Sequence, residues 1–170
     1  MQYLKLIDKN FERWALLIFY TLLVVTMSVE VLRRELFSYS SIWGEEVVRY
    51  SFIYLAWIGA AAAVRDRAHI RIDVLYHYVP PRVKALLYIF GDLAMGVIAV
   101  FALYWSFETV AVAYKYQSVS HGLRVPMVWF LMAVPTGFSL MIYRLVQSIL
   151  RDIADLRAGK PVHEGEQLFD

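Results

Sequence analysis

Cysteine is absent from the 170 residues, which excludes a disulfide framework, a thiolate metal site and thiol redox chemistry of the kind small membrane oxidoreductases perform. Charge is scarce: Asp, Glu, Lys and Arg make up 19% of the chain, and the net charge of +2 is too small to suggest nucleic-acid binding. Segments of alternating polarity are missing as well, so a membrane β-barrel is excluded. No glycine-rich phosphate loop, Ser/His/Asp set or pocket-forming carboxylate pair stands out, and an enzyme reading has nothing to rest on. What fills the chain is apolar: 60% of the residues are hydrophobic, more than an ordinary soluble domain of this size carries.

Apolar runs predict an all-α membrane protein with four transmembrane helices, at about residues 14–32, 43–64, 83–113 and 125–150. Each run is near or above the ~20 residues that cross about 30 Å of hydrocarbon. The third is longer than needed and must tilt or project beyond the headgroups. Residues 1–156 then form a single membrane domain and residues 157–170 a flexible cytoplasmic tail. Twelve Lys and Arg residues flank the helices in the N-terminal segment, the second loop and the C-terminal end, against four in the first and third loops. This asymmetry places both termini in the cytoplasm. The first apolar run is too long for a signal-peptide core and reads as a retained anchor. Between helices two and three, "HIRIDVLYHYVPPR" carries Ile70, Val74, Leu75, Tyr78 and Val79 at helical spacing. A short interfacial helix ended by Pro80 and Pro81 is the expectation there.

Helix two opens on Trp43-Gly44-Glu45-Glu46, and Arg49 follows. Stepping by fours and threes gives Glu45, Arg49, Phe52, Ala56, Gly59 and Ala63 on one face, so charge and small residues share it. Either glutamate has the spacing to pair with Arg49, which lies about 9 Å along the axis from Trp43 and therefore near the outer interface. Two readings fit: a face packed against protein, or acidic groups complementing the helix N-terminus beside an aromatic anchor.

Asp92 lies about 12 Å into helix three by helical rise, between Gly91 and Gly96, and is expected to face another helix. Glu30 and Glu108 fall near the outer ends of their helices, where hydration makes them inexpensive. His69, His77, His121 and His163 all sit in loops or the tail, which leaves haem ligation without support. Pro126 suits the first turn of helix four, whereas Pro135, followed by Gly137, should bend that helix or loosen one turn.

Trp43-Gly44-Glu45-Glu46, Arg49, Gly59-Ala60, Arg65 and "HIRID" at residues 69–73 together resemble the small, DctQ-type membrane subunit of tripartite ATP-independent periplasmic (TRAP) transporters. The likeness is densest over residues 42–75, and the four-helix plan extends it over nearly the whole chain. It implies a multi-pass subunit of the bacterial inner membrane, with a large permease subunit, a periplasmic substrate-binding protein and membrane lipid as partners. By that likeness the large subunit carries substrate and coupling sodium and works as an elevator, while the small one braces it and holds no cofactor. Trp43, Glu45, Glu46, Arg49, Ala56, Gly59, Ala63 and Asp92 then become packing or assembly candidates. Arg65, His69 and Asp73 would shape the cytoplasmic end, and Lys115 and Arg124 are candidate contacts for the binding protein. The alternative is a self-sufficient four-helix transporter acting as a homodimer, which needs an essential membrane carboxylate.

Overall fold

The computed structural model describes residues 2–39, 41–66 and 80–158, with side chains from residue 11 onward except at 81 and 82. Five helical elements follow in order: α1 (Gln2–Phe37), α2 (Ile42–Arg65), α3 (Pro81–Lys115), α4 (Val128–Leu131) and α5 (Ala133–Arg157). Four stretches are long and apolar enough to cross a membrane: Phe11–Phe37, Ile42–Arg65, Val83–Lys115 and Val128–Arg157. The all-α, four-span expectation therefore holds over the described residues. The expected interfacial helix, His69, Asp73 and residues 159–170 lie outside them.

Local chemistry sets the boundaries. Pro81 starts α3 at a position where its missing N–H costs nothing. At the other end of α3, Gln117 takes φ 49°, its N–H donates to the Tyr114 carbonyl, and Ser118 N–H donates to Ala113. This is a Schellman turn, built with glutamine where glycine is usual. Between α3 and α4 the chain folds back on itself: Ser120 N–H donates to the Val125 carbonyl and Met127 N–H to Ser118, both at 2.9 Å. Pro126 belongs to this bridged turn, opposite Val119, and not to a helix. Its ring fixes a backbone that needs no donor there, and the helix begins two residues later, at Val128.

Pro135 has the effect its sequence position suggests. Lacking an N–H, it leaves the Leu131 carbonyl without its i+4 donor, and the helix is interrupted at Met132, between α4 and α5. The turn is loosened and not broken, because Met132 keeps helical dihedrals and Thr136 N–H still reaches the Met132 carbonyl at 3.0 Å. Thr136 and Ser139 bond their hydroxyls to the carbonyls four residues back, which suits polar side chains in a helix surrounded by hydrocarbon.

Paired contacts give the order of the spans. Along α1 and α2, Glu30 meets Ser41, Phe19 stacks on Tyr54, and Glu12 meets Arg65, so these helices are antiparallel. Along α2 and the last span, Tyr50 stacks on Phe130, Trp57 lies against Gly137, and Arg65 and Arg144 converge on Glu12, so these neighbours run parallel. On the far side, α3 packs antiparallel on α5, with Asp92 on Ser148 and Gly96 near Leu145. The spans thus stand as an open row, α1–α2–α5–α3, with packing concentrated between neighbours. Its small core is Ala61 and Val64 of α2, Ala99 of α3, and Met141 and Leu145 of α5.

The tight crossing is at Gly137, where an added Cβ would fall 2.6 Å from Trp57 Cβ and 3.2 Å from its carbonyl oxygen. The small-residue step expected at Gly59 is looser, since a Cβ there meets only Leu16 at 3.7 Å. Replacing Gly137 with alanine must push α2 from α5, at a cost of about 1–3 kcal/mol. Gly91, with nothing within 4 Å of an added Cβ, gains helix propensity on the same change. In heated, detergent-solubilised protein followed by size exclusion, Gly137→Ala lowers the thermal midpoint and Gly91→Ala does not.

Candidate functional site

The Trp-Gly-Glu-Glu segment ties three parts of the chain together. Ser41, which precedes α2, donates its N–H to Glu30 Oε2 at 3.1 Å and its hydroxyl to Glu30 Oε1. Arg33 approaches the same carboxylate at 3.3 Å. Glu30 was expected merely to be hydrated; instead, it anchors the entry to α2. Gly44 makes this fit, because a Cβ on it would overlap the Glu30 side chain at 2.5 Å. One turn on, Glu46 reaches across to the loop before α4. Its Oε1 accepts the Gly122 N–H at 2.8 Å and its Oε2 the Leu123 N–H at 2.9 Å. Two successive backbone donors make a small anion cradle, and Gly122 allows the approach: a Cβ there would lie 2.9 Å from the Ile42 carbonyl carbon.

The adjacent glutamates therefore have opposite surroundings. Glu46 is 7% exposed, whereas Glu45 and Arg49 are exposed. The pairing with Arg49 that the spacing suggested is not formed: among the described residues no ion pair joins either glutamate to it. Both Glu46 oxygens are occupied by backbone donors, and Glu45 is exposed beside Arg49 on the same face. Ala56 is exposed and Phe52 is 59% exposed. The N-terminal half of the charged face thus points away from this chain's own helices. Gly59 and Ala63, farther along, are partly buried. Trp43 is exposed with the Arg33 guanidinium 5.8 Å from its ring, and Lys115 and Arg124 are exposed on the same end of the row.

At the opposite end, Glu12 of α1 is fully buried between two guanidiniums, Arg144 Nε at 2.6 Å and Arg65 Nη1 at 2.8 Å. Arg65 also chelates Asp66 at 2.7 and 3.0 Å, and Arg144 donates to Gln147 at 2.7 Å. Of Glu12, Arg65 and Arg144, only Arg65 belongs to the sequence pattern that marks this end; the other two lie outside it. Depth along the sequence does not pair them, since Arg65 lies 23 residues from Ile42 and Arg144 only 16 from Val128; the fold brings both to one level, where a buried carboxylate is what such a pair requires. Deeper in the row, Asp92 is 4% exposed and accepts the Ser148 hydroxyl at 2.7 Å, in keeping with a contact to another helix. Among the described residues no cluster of His, Asp and Glu could hold a metal ion.

The family model described as "Tripartite ATP-independent periplasmic transporters, DctQ component" matches residues 23–155. The chain belongs to the DctQ family. It is a small TRAP-transporter subunit, a transporter component and not an enzyme, and a multi-pass protein of the inner membrane. Among curated relatives it is 25% identical to the isethionate TRAP transporter permease protein DctMQ of Oleidesulfovibrio alaskensis, over 84% of this chain and 24% of that protein. It is 31% identical to the C4-dicarboxylate TRAP transporter small permease protein DctQ of Rhodobacter capsulatus, over 62% of this chain and 47% of that one. The sialic acid TRAP transporter small permease protein SiaQ of Vibrio cholerae is 20% identical over 88% and 85%. The chain thus spans about a quarter of DctMQ and, against the SiaT permease of Haemophilus influenzae, 19% of that protein.

In this DctQ-family chain the two neighbouring glutamates should separate cleanly on mutation. Glu46→Gln removes the charge and one acceptor from the cradle, a loss of about 1–3 kcal/mol. Faster hydrogen exchange over residues 118–127 is the expected readout, with Glu45→Gln unchanged. Glu12→Gln leaves two guanidiniums without their carboxylate, at a cost of about 3–5 kcal/mol. The folded fraction on size exclusion should fall sharply, and more than for Glu46→Gln.

Proposed function

We propose that this chain is the stationary brace of a TRAP transporter, held along a large permease subunit that moves a small organic acid delivered by a periplasmic binding protein. Substrate and coupling sodium belong to the large subunit, and this chain binds no cofactor of its own. Both termini face the cytoplasm, as the excess of Lys and Arg at that end favours. The observation that carries the reading is the open row of helices. Glu12, Glu30 and Glu46 are spent on tying helices to one another at the two ends, and α1, α2 and α3 leave broad apolar sides uncovered. Support also comes from DctMQ and SiaT, in which the region similar to this chain is a small part of a far longer permease protein. Isethionate, C4-dicarboxylates and sialic acid, in the relatives' names, are all organic acids.

The exposed Glu45–Arg49–Phe52–Ala56 face is the contact we assign to the large subunit. Arg49, exposed near one end of its span and without an ion-pair partner among the described residues, is better matched to a polar partner than to acyl chains. The test is co-expression with a large permease subunit and affinity pull-down through a tag on this chain. Stoichiometric capture is expected, with Arg49→Ala weakening capture several-fold while leaving the chain's own thermal midpoint unchanged. Solute uptake by liposomes holding this chain alone would sink the proposal and favour the self-sufficient homodimer.

A further inference from the structure

Near the Glu12 end, an open cavity of about 500 Å³ runs between α1 and α2. This lies within the roughly 300–1,000 Å³ usual for small-molecule sites. Its wall is apolar, with Leu16 and Leu17 on one side and Leu55 on the other, and its mouth carries Arg13, Arg65 and Asp66. Arg13 lies near the start of the apolar stretch Phe11–Phe37, and Arg65 ends the stretch Ile42–Arg65. The mouth is therefore at headgroup depth, and the wall descends into the level of the acyl chains. Trp14, 64% exposed, stands beside it as an interfacial aromatic.

Charge at this mouth is unbalanced. Glu12 and Asp66 offer two carboxylates to Arg65, Arg144 and Arg13, and the first two guanidiniums take both of them. Arg13 is exposed and has no carboxylate partner among the described residues. Among the described residues Arg13 is thus a cation without a carboxylate partner, beside an apolar groove that opens sideways into the membrane. A single phosphodiester on a hydrocarbon chain satisfies both halves at once: the guanidinium fork suits phosphate oxygens, and the leucine wall suits methylenes.

We infer that the groove between α1 and α2 is a binding site for one anionic phospholipid, with its phosphate on Arg13 and an acyl chain along Leu16, Leu17 and Leu55. The site goes beyond the bracing role and does not depend on it. A helix of the large subunit is the competing occupant, and the uncompensated charge at the mouth favours the lipid.

The test uses native mass spectrometry of the full-length chain in neutral detergent, titrated with phosphatidylglycerol, phosphatidylcholine or soluble glycerol 3-phosphate. One tightly held phosphatidylglycerol per chain is expected, preferred over phosphatidylcholine, with glycerol 3-phosphate failing to displace it. Arg13→Gln should reduce that preference about fivefold, the share of one basic side chain at a membrane surface, while Arg13→Lys keeps most of it. Leu17→Trp, which narrows the groove without altering charge, should weaken retention of both lipids. Equal retention of the two lipids, or a preference undiminished in Arg13→Gln, would overturn the site. Displacement by glycerol 3-phosphate would overturn it in favour of a free-phosphate site. Lipid held by the isolated chain but expelled from its complex with a large permease subunit would reassign the groove to protein.

Discussion

One carboxylate, that of Glu12, holds its end of this molecule together. The two central spans, α2 and α5, run parallel, and near the same depth each presents an arginine to the space between them. Like charges brought together in a medium of low dielectric repel strongly. Glu12, from a third helix and fully buried, lies between Arg65 and Arg144 and makes that approach favourable. The position of α1 follows from this, since the helix must come close enough to deliver the carboxylate. Arg65, at the C-terminal end of α2, is further favoured by the helix dipole.

The opposite end is closed by different chemistry. There the acceptors are Glu30 and Glu46, and most of the donors are backbone N–H groups of chain entering or leaving helices. These are the orphan groups that a helix end or loop exposes and that hydrocarbon cannot satisfy. Within α1, Glu12 and Glu30 are 18 residues apart, about 27 Å by helical rise. Within α2, Glu46 and Arg65 are separated by nearly the same span. Polar ties thus fall at two levels a bilayer's hydrocarbon thickness apart, about 30 Å. Between those levels the row depends chiefly on aromatic stacking, close packing at Gly137 and the Asp92–Ser148 hydrogen bond.

Much of this was legible in the sequence. Length and apolarity gave four spans, Pro135 marked a loosened turn, and Asp92 was placed against another helix. Helix ends were less legible: α1 begins at Gln2, well before the apolar run, because a polar segment can be helical without being greasy. The role of Glu46 was hidden for another reason. Its partners are backbone donors 76 and 77 residues away, and a backbone N–H leaves no residue-type signature. Spacing therefore offered Arg49, the nearest side chain of opposite sign, while the fold supplied two better-placed donors. Glu12 and Arg144, 132 residues apart, are likewise brought together only by the fold.

The open row has a mechanical consequence. Helices α1, α2 and α5, tied at the two rims, cannot slide lengthwise without breaking charged hydrogen bonds at one rim or the other, so that part of the row is stiff in its own plane. Across its thickness there is one helix and little else, and α1 and α3 do not close on each other. The layer can therefore curve while keeping every tie intact, much as a slatted panel follows a rounded frame yet resists racking.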